Sequence, residues 1–404
     1  MKPDITLIFP SSPFLLNQSM FPPLGIMYLS AFLKHYGFMV QCLDLSLPGH
    51  TKEMAEADII GISFSTPQRD EAFKLAKHYG AHGKIMVGGG PHPSHMPEEC
   101  QAHGFHKIIR GPGEIKLLHF MGHSYNRQDV SLIGEPDIDN YPFPDRDSLP
   151  VDEYYQEIDG RPATAMIASR GCPYNCSFCA NIRQRYRIQS AKRTLAEIYY
   201  LKKRFGYTAF SIYDDTFAID RGRLNEMANA LEDQDFRFRC FCRANLLTNG
   251  VCRDMARMGV TSVGIGIESG SNGILKLNMK GTTKKENSKA VRNLQSHGIE
   301  AKAFLIVGLP GETEETVQET ASWIDAARPD DIGVAVFQPL PGSAIFNDPA
   351  KWGVEFQYNG QPMWYRGTPG EYKPTVRTEG LTTERIAFLR DWLEKQYKNP
   401  ELLR

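Results

Sequence analysis

GCPYNCSFCA, from Gly171 to Ala180, is the stretch on which the reading of this chain turns. Its Cys172, Cys176 and Cys179 follow the spacing CxxxCxxC. Three thiolates on one short loop suit an iron–sulfur cluster better than the closed four-ligand tetrahedron of a structural zinc. Three ligands on a four-iron cluster leave one iron open, and a small molecule that chelates this iron can receive an electron directly. The other reading of such a trio is a group of structural cysteines, or part of a zinc site completed elsewhere. The sequence on either side decides between them.

Downstream and around the loop, six strand-like runs alternate with helical stretches. The runs are Thr164–Ser169, Ala209–Asp215, Arg237–Arg243, Ser262–Ser269, Lys302–Gly308 and Ile332–Pro339, and the helical stretches include LAEIYYLKKRFG, LNEMANALED and EETVQETASWIDAA. Such β/α units predict a barrel or partial barrel, with its chemistry at the carboxyl ends of the strands. The cysteine loop follows the first strand, at that end. Asp214 and Asp215, Arg243 and Asn245, Glu268 and Ser269, and the turn Gly308-Leu309-Pro310-Gly311 stand at the same level. Taken singly, each is as well explained as a surface charge or a helix cap; the repetition of polar residues at successive strand ends argues for a common ligand.

Upstream, apolar runs at Ile5–Pro10, Val40–Ser46, Asp58–Thr66, Lys84–Gly90 and His106–Gly111 alternate with helical runs such as PLGIMYLSAFLKHYG and QRDEAFKLAKHYG. Five strands with crossover helices predict a doubly wound, Rossmann-like parallel sheet, which binds ligands beyond the carboxyl ends of its strands. Both quoted helical runs end in glycine, a plausible stop. The loops after the third, fourth and fifth strands carry Ser63, Ser65, Thr66 and Gln68; Gly88, Gly89, Gly90, Pro91 and His92; and Arg110, Gly111, Gly113 and Glu114. Glycine lets a backbone approach a large ligand closely, and hydroxyls and free N–H groups satisfy its polar edge. Simple tight turns would also use these glycines. No GxGxxG opens the first helix, which argues against a dinucleotide.

Between the two series, residues 126–162 are irregular and rich in Pro and Asp, as in DIDNYPFPDRDSLP. The predicted organisation is therefore α/β: a first domain over 1–125, a linker over 126–162, a partial (β/α)6 barrel over 163–343 and a small C-terminal capping subdomain over 344–404. The last holds Trp352, Phe356, Tyr358, Trp364, Tyr365 and Tyr372, available either for packing or for shaping a pocket.

With 404 residues, 23% of them charged and a net charge of -1, the chain has no bulk charge for nucleic acid. It contains no run near the ~20 apolar residues of a membrane span, and its first apolar run is too short for a signal sequence. Eight cysteines, three of them in the loop, suit a reducing compartment, so a cytoplasmic protein is expected. Cys42 and Cys100 read as buried thiols; Cys240 and Cys242, on one face of a strand, and nearby Cys252 read as a buried group rather than a second metal site.

The cysteine loop, with Phe178 before its last cysteine, resembles the signature of the radical S-adenosylmethionine (SAM) superfamily, and the YDDTF, FCRAN, GIGIESGS and VGLPGET segments resemble that superfamily's SAM-binding motifs. The resemblance implies a 4Fe-4S cluster on the three cysteines. It places Asp214 and Asp215 near the SAM amino group, Arg243 near the carboxylate, Glu268 near the ribose and the Gly308–Gly311 turn near the adenine. VGGGPHPSHMPEE, IIRGPGE and PPLGIMYLSAFLKHYG resemble the cobalamin-binding domain that precedes many radical SAM domains. The second of these departs from the usual GEGE by carrying Pro112, and the DxHxxG motif, whose histidine ligates cobalt in many cobalamin enzymes, is absent. Cobalamin held without histidine ligation is the expectation, a domain that binds none the alternative.

The implied activity is a cobalamin-dependent radical SAM methyltransferase: a 5′-deoxyadenosyl radical removes hydrogen from an unactivated carbon, which takes a methyl group from methylcobalamin. The alternatives are a radical cyclisation or rearrangement without methyl transfer, and a cluster-bearing sensor without turnover. The resemblance implies anaerobic work, an electron donor such as flavodoxin or ferredoxin, and a small-molecule or protein side-chain substrate; one branch of the family methylates a protein glutamine.

Overall fold

The strands of the first unit are runs of β-branched and aliphatic residues, buried on both faces as a sheet covered by helices requires. In the computed structural model, β1 (Ile5–Phe9), β2 (Val40–Asp44), β3 (Ile59–Ser63), β4 (Ile85–Gly89) and β5 (Lys107–Ile108) pair in parallel in the order β2-β1-β3-β4-β5. The structure describes residues 2–12, 15, 17–180, 185–357 and 373–398; Tyr358, Trp364, Tyr365 and Tyr372 lie outside them. The strand order reverses between β1 and β3, and ligands of open α/β sheets sit at the carboxyl edge beside such a switch point.

Six helices accompany this sheet: α1 (Leu24–His35), α2 (Arg69–Ala81), α3 (Pro91–His95), α4 (Pro97–Ala102), α5 (Glu114–Ser124) and α6 (Gln128–Ser131). The first glycine stop falls where expected, since α1 ends before Gly37, which has φ +83°. The second does not. α2 runs through Gly80 to Ala81, and the left-handed residue is Gly83, at φ +71°.

The chain divides into compact units between Gln156 and Glu157, inside the stretch read as a linker. Residues on the near side of this division fold with the first unit. Asp145 accepts hydrogen bonds from Ser30 Oγ and Lys34 Nζ, each at 2.6 Å, and Tyr154 donates to the buried Asp44 at 2.7 Å.

The second unit opens with a hairpin of β6 (Glu157–Ile158) and β7 (Arg161–Met166). A short antiparallel ladder of β8 (Ser169–Arg170) and β9 (Arg187–Ile188) follows. Then α7 (Ala191–Phe205), β10 (Ala209–Ile212), α8 (Arg221–Leu231), β11 (Arg237–Arg243), α9 (Asn249–Arg257), β12 (Val260–Glu268), α10 (Asn272–Leu277), α11 (Lys284–Gln295), β13 (Glu300–Val307), α12 (Glu314–Ala327) and β14 (Asp331–Val336) complete the alternation. β7 and β10 to β14 are parallel neighbours in chain order, with β6 antiparallel on one edge and β14 on the other, so the barrel is open. The run read as one strand over Thr164–Ser169 is split: β7 stops at Met166, and Ser169 already belongs to β8.

Val263, Ile265, Ala301, Ala303 and Leu305 from the strands pack with Ile198, Met227, Val291 and Ile324 from the helices in one core. Cys240, Cys242 and Cys252 are buried in that core. Beyond α13 (Ala344–Asn347) and a hairpin of β15 (Val354–Phe356) with β16 (Val376–Thr378), α14 (Thr383–Tyr397) closes the described chain. Ile386, Leu389 and Leu393 of α14 join the same core, and Arg390 Nε donates to Val334 O at 3.0 Å. α14 is thus a wall of the barrel unit.

Candidate active site

The cysteine loop hangs from the β8–β9 ladder, in which Ser169 pairs with Ile188 and Arg170 with Arg187. Gly171 enters it at φ +79°, a left-handed turn that glycine makes without strain. Cys172, Cys176 and Cys179 stand outside any disulfide, Cys176 buried and the other two half-buried. Among the described residues no three His, Cys, Asp or Glu side chains converge on a single ion. A cluster differs from such a site in taking each thiolate on a separate iron.

Two other segments hold this loop. Arg243, at the end of β11, is buried; its Nη1 donates to Cys176 Sγ at 3.2 Å, its Nη2 to Lys280 O, and its guanidinium carbon lies 3.8 Å from the centre of the Tyr174 ring. Residues 278–280 form the second anchor. Ser177 donates to Asn278 O through both N–H (3.2 Å) and Oγ (3.0 Å), and the fully buried Asn278 amide donates to Ile274 O and Pro310 O, each at 3.0 Å.

Lys280 Nζ donates to Glu268 Oε1 at 2.7 Å in a buried ion pair. Glu268 ends β12 at φ +65°, where the register with β13 shifts. Gly266 makes room for the pair: a Cβ there would lie 2.6 Å from Glu268 Oε1 and 2.8 Å from Lys280 Nζ.

The remaining residues at the strand ends separate into facing and supporting groups. Asp214 Oδ1 accepts from Ala168 N (2.7 Å) and Ser169 N (2.9 Å), which fixes the turn leading into the cysteine loop; burial raises its carboxyl to about 6. Asp215 beside it is exposed. Ser269 points to the helix layer, 3.3 Å from Thr320 Oγ1 of α12. Gly308 has φ +94°, and its N–H donates to Glu312 Oε2 at 2.6 Å; burial raises Glu312 to about 8. Pro310 contributes its carbonyl to Asn278.

Several buried side-chain atoms at this edge have no partner among the described residues: Asp214 Oδ2 and Thr216 Oγ1 beyond β10, Arg243 Nε at the end of β11 and Asn245 Oδ1 just past it, Thr282 Oγ1 beyond β12 and Gln338 Nε2 beyond β14. Each unpaired buried polar atom costs about 1–3 kcal/mol. A row of them along one edge fits a ligand with many polar groups, as SAM has. Lys280 and Asn278 are the site residues the sequence reading missed. They stand in the NMKG segment after α10, away from any strand end, and only their fixed distance beyond GIGIESGS could have marked them.

In the first unit the glycine loops lie at the switch-point edge. Gly90 adopts φ +93°, ψ -172°, a conformation essentially reserved for glycine, and a Cβ on it would lie 2.8 Å from Phe64 O. A Cβ on Gly89 would meet nothing nearer than 3.9 Å, so the sheet edge is open there to a flat ligand. Gln68 accepts from Ser65 N–H and Oγ and donates to Pro10 O at 2.8 Å, joining the loops after β1 and β3. Ser94 joins the next two: its Oγ donates to Gly90 O (2.8 Å) and accepts from Gly111 N (2.9 Å), and its carbonyl takes Arg110 Nε at 3.1 Å. Pro91 is exposed, Ser63 and Gly113 are half-buried, and Thr66, His92 and Glu114 are buried.

Residues 166–324 match the Radical SAM superfamily, and residues 18–120 match the B12 binding domain. The chain joins a B12 binding domain to a radical SAM domain. That pairing assigns cobalamin to the first unit, and the 4Fe-4S cluster with SAM to the second. Among proteins similar to this B12-binding radical SAM chain is an uncharacterized methyltransferase of Pyrococcus horikoshii, 28% identical over 420 residues, with 95% of this chain and 89% of the relative covered. An anaerobic magnesium-protoporphyrin IX monomethyl ester cyclase of Rubrivivax gelatinosus is 28% identical over 373 residues, covering 81% of this chain and 66% of the relative. The fold is that of the radical S-adenosylmethionine methyltransferase TsrM of Kitasatospora setae, solved with cobalamin and a 4Fe-4S cluster bound: TM-score 0.75, 17% identity, 99% of this chain and 92% of that one covered. Among the described residues no helix is long and apolar enough to cross a membrane.

Proposed function

We propose that the chain is a cobalamin-dependent radical SAM methyltransferase acting on carbon. The observation that carries this reading is the tie of the CxxxCxxC loop, through Arg243 at Cys176 and Asn278 at Ser177, to an edge lined with unpaired polar atoms. The thiol donor set and those atoms suit a cluster with a chelating sulfonium ligand; the open edge at Gly89 suits a corrin. When bound, the reduced cluster and SAM supply a hydrogen-abstracting 5′-deoxyadenosyl radical, and methylcobalamin supplies the methyl group.

The protein's part is to bind, orient and exclude water. Cys172, Cys176 and Cys179 hold the cluster. Arg243 and Lys280 put two positive charges beside Cys176 and Glu268, where a carboxylate is favoured. Glu268 keeps its second oxygen for ribose hydroxyls, Asn245 and Asp215 offer polar contacts to the methionyl end, and the Gly308–Pro310 turn offers backbone to the adenine. Asp214 and Ser269 act through the backbone they hold. In the first unit, Gly88–Gly90 and Gly111–Gly113 form the corrin cradle. Ser63, Ser65, Thr66, Gln68, Pro91, His92, Arg110 and Glu114 build its walls.

The substrate is a carbon of a small molecule or of a protein side chain, the electron donor a flavodoxin or ferredoxin, and the setting an anaerobic cytoplasm. The likeness to the cyclase favours one competing reading, radical chemistry without methyl transfer. Anaerobic reaction with methyl-labelled SAM, hydroxocobalamin, reductant and cell extract, read by mass spectrometry, separates them. A labelled carbon product with 5′-deoxyadenosine is expected. An oxidised, unlabelled product would transfer the chain to the cyclase class, and no 5′-deoxyadenosine from a cluster-replete protein supplied with its substrate would make it a sensor.

A further inference from the structure

Beneath the glycine loop of the first unit, four polar side chains form a connected chain in which Thr66, His92 and Arg69 are buried and Glu99 is half-buried. His92 has no exposed surface; its ring packs against Phe64 and Phe73, with centroids 5.6 and 6.2 Å away. Its Nδ1 is 3.2 Å from Thr66 Oγ1, and its Nε2 is 3.1 Å from Glu99 Oε2. A carboxylate only accepts, so Nε2 carries the hydrogen, and Nδ1 shares a hydrogen bond with the Thr66 hydroxyl, which can give or take it. Glu99, in α4, also faces Arg69, whose Nη1 is 3.3 Å from Oε1. Thr66 and Arg69 both belong to the segment after β3, whereas His92 follows β4. The path from Thr66 through His92 and Glu99 to Arg69 therefore starts and finishes on the β3 side and clamps the β4 loop between.

The backbone above these side chains has no slack. His92 N donates to Phe64 O at 3.3 Å, Phe64 N donates to Gly89 O at 3.1 Å, and Gly90 packs on Phe64 in its glycine-only conformation. Ser94 passes the constraint on to Gly111. A movement of His92 toward any ligand would break contacts on both ring nitrogens and take from Glu99 its imidazole donor.

We infer that Glu99, acting through His92, is a positioning residue that sets the gap between the β3 and β4 loops for the corrin, and that His92 gives no nitrogen to cobalt. This rests on the reading of the first unit as a cobalamin domain. A Glu99 carboxylate is needed to hold the imidazole hydrogen, and the imidazole is needed to reach Thr66.

The test uses the full chain, reconstituted anaerobically with its cluster and titrated with hydroxocobalamin, whose Co(III) is then reduced by one electron with a chemical reductant, followed by electron paramagnetic resonance of the bound cob(II)alamin. Wild type should bind cobalamin and show cobalt hyperfine lines without nitrogen splitting. H92A and E99A should bind about tenfold more weakly or worse, the scale of a charge-assisted hydrogen bond. H92Q, which can both donate and accept, should recover most of that loss with an unchanged spectrum. E99Q, which keeps the volume and an acceptor, should fall between wild type and E99A and covers the case of an alanine variant that does not fold; iron content and cluster absorbance report folding throughout. Nitrogen splitting in wild type that disappears in H92Q would make His92 a ligand and overturn the inference. Equal affinity of wild type, E99A and E99Q would overturn the positioning role while leaving the cobalamin reading intact. A wild type that binds no cobalamin would remove that reading and the inference together.

Discussion

Glu312 is a carboxyl sealed in the barrel unit, with the Gly308 N–H 2.6 Å from Oε2, and burial raises it from the ordinary 4.5 to about 8. A carboxyl whose folded value is raised holds a proton that the unfolded chain has released. Its stabilising contribution is complete below the unfolded value, near 4.5, and is lost as pH rises through the folded value, near 8. Within that window the slope approaches a loss of about 1.4 kcal/mol per pH unit. Glu312→Gln keeps the acceptor for Gly308 and cannot ionise. Thermal unfolding from pH 5 to 8.5 should therefore show wild type losing several degrees relative to Glu312→Gln as pH rises. A constant difference would mean that Glu312 is charged in the folded protein, and that the Gly308–Gly311 turn is built around an anion.

At the scale of the element, residues 278–282 matter more than any one strand end. The segment reaches Ser177 in the cysteine loop, Arg243 beyond β11, Glu268 beyond β12 and Pro310 beyond β13. Asn278→Ala removes two side-chain donors from a buried site and strands the carbonyl of Pro310, at about 1–3 kcal/mol, while Ile274 O keeps the backbone N–H of residue 278. The expected outcome is a folded protein whose reconstituted cluster loses iron several-fold faster to a chelator and whose SAM Kd rises. Iron retention equal to wild type would show that the Asn278 side chain is not needed and that its backbone carbonyl, through Ser177, suffices beside Arg243. The strand-end residues were legible because the β/α alternation announces each carboxyl end. This strap was not, because its role comes from where α10 leaves the chain and not from a period in the sequence. For the same reason the sequence does not show that Asp214 Oδ1 holds the backbone of Ala168 and Ser169 or that Ser269 Oγ meets Thr320; a polar residue beside a strand end can face either way, and the sequence does not encode which. The β8–β9 ladder was hidden too, its paired strands being too short to carry a pattern.

At the scale of the whole molecule, two parallel sheets each place glycine-rich or polar loops at their carboxyl edges, and each encloses its own core. Both architectures were legible, since buried parallel strands are continuous apolar runs and leave an unambiguous rhythm. The end of the first unit was less so: a Pro- and Asp-rich stretch looks like a tether, but Asp145 and Tyr154 give it specific partners. Separate cores predict separable cofactors. Replacing Cys172, Cys176 and Cys179 together with Ala should abolish the cluster absorbance and 5′-deoxyadenosine formation, while cobalamin affinity stays within about twofold of wild type, because neither core loses a packed side chain. Gly90→Ala should do the reverse. It forces a Cβ to within 2.9 Å of Phe64 N and 2.8 Å of Phe64 O in a conformation costing about 1–3 kcal/mol, so the loop must move and cobalamin binding must fall, with iron content unchanged. Measuring both cofactors in both variants gives a two-by-two result. If either variant loses both cofactors, the units do not load independently, and assembly of one site depends on occupancy of the other.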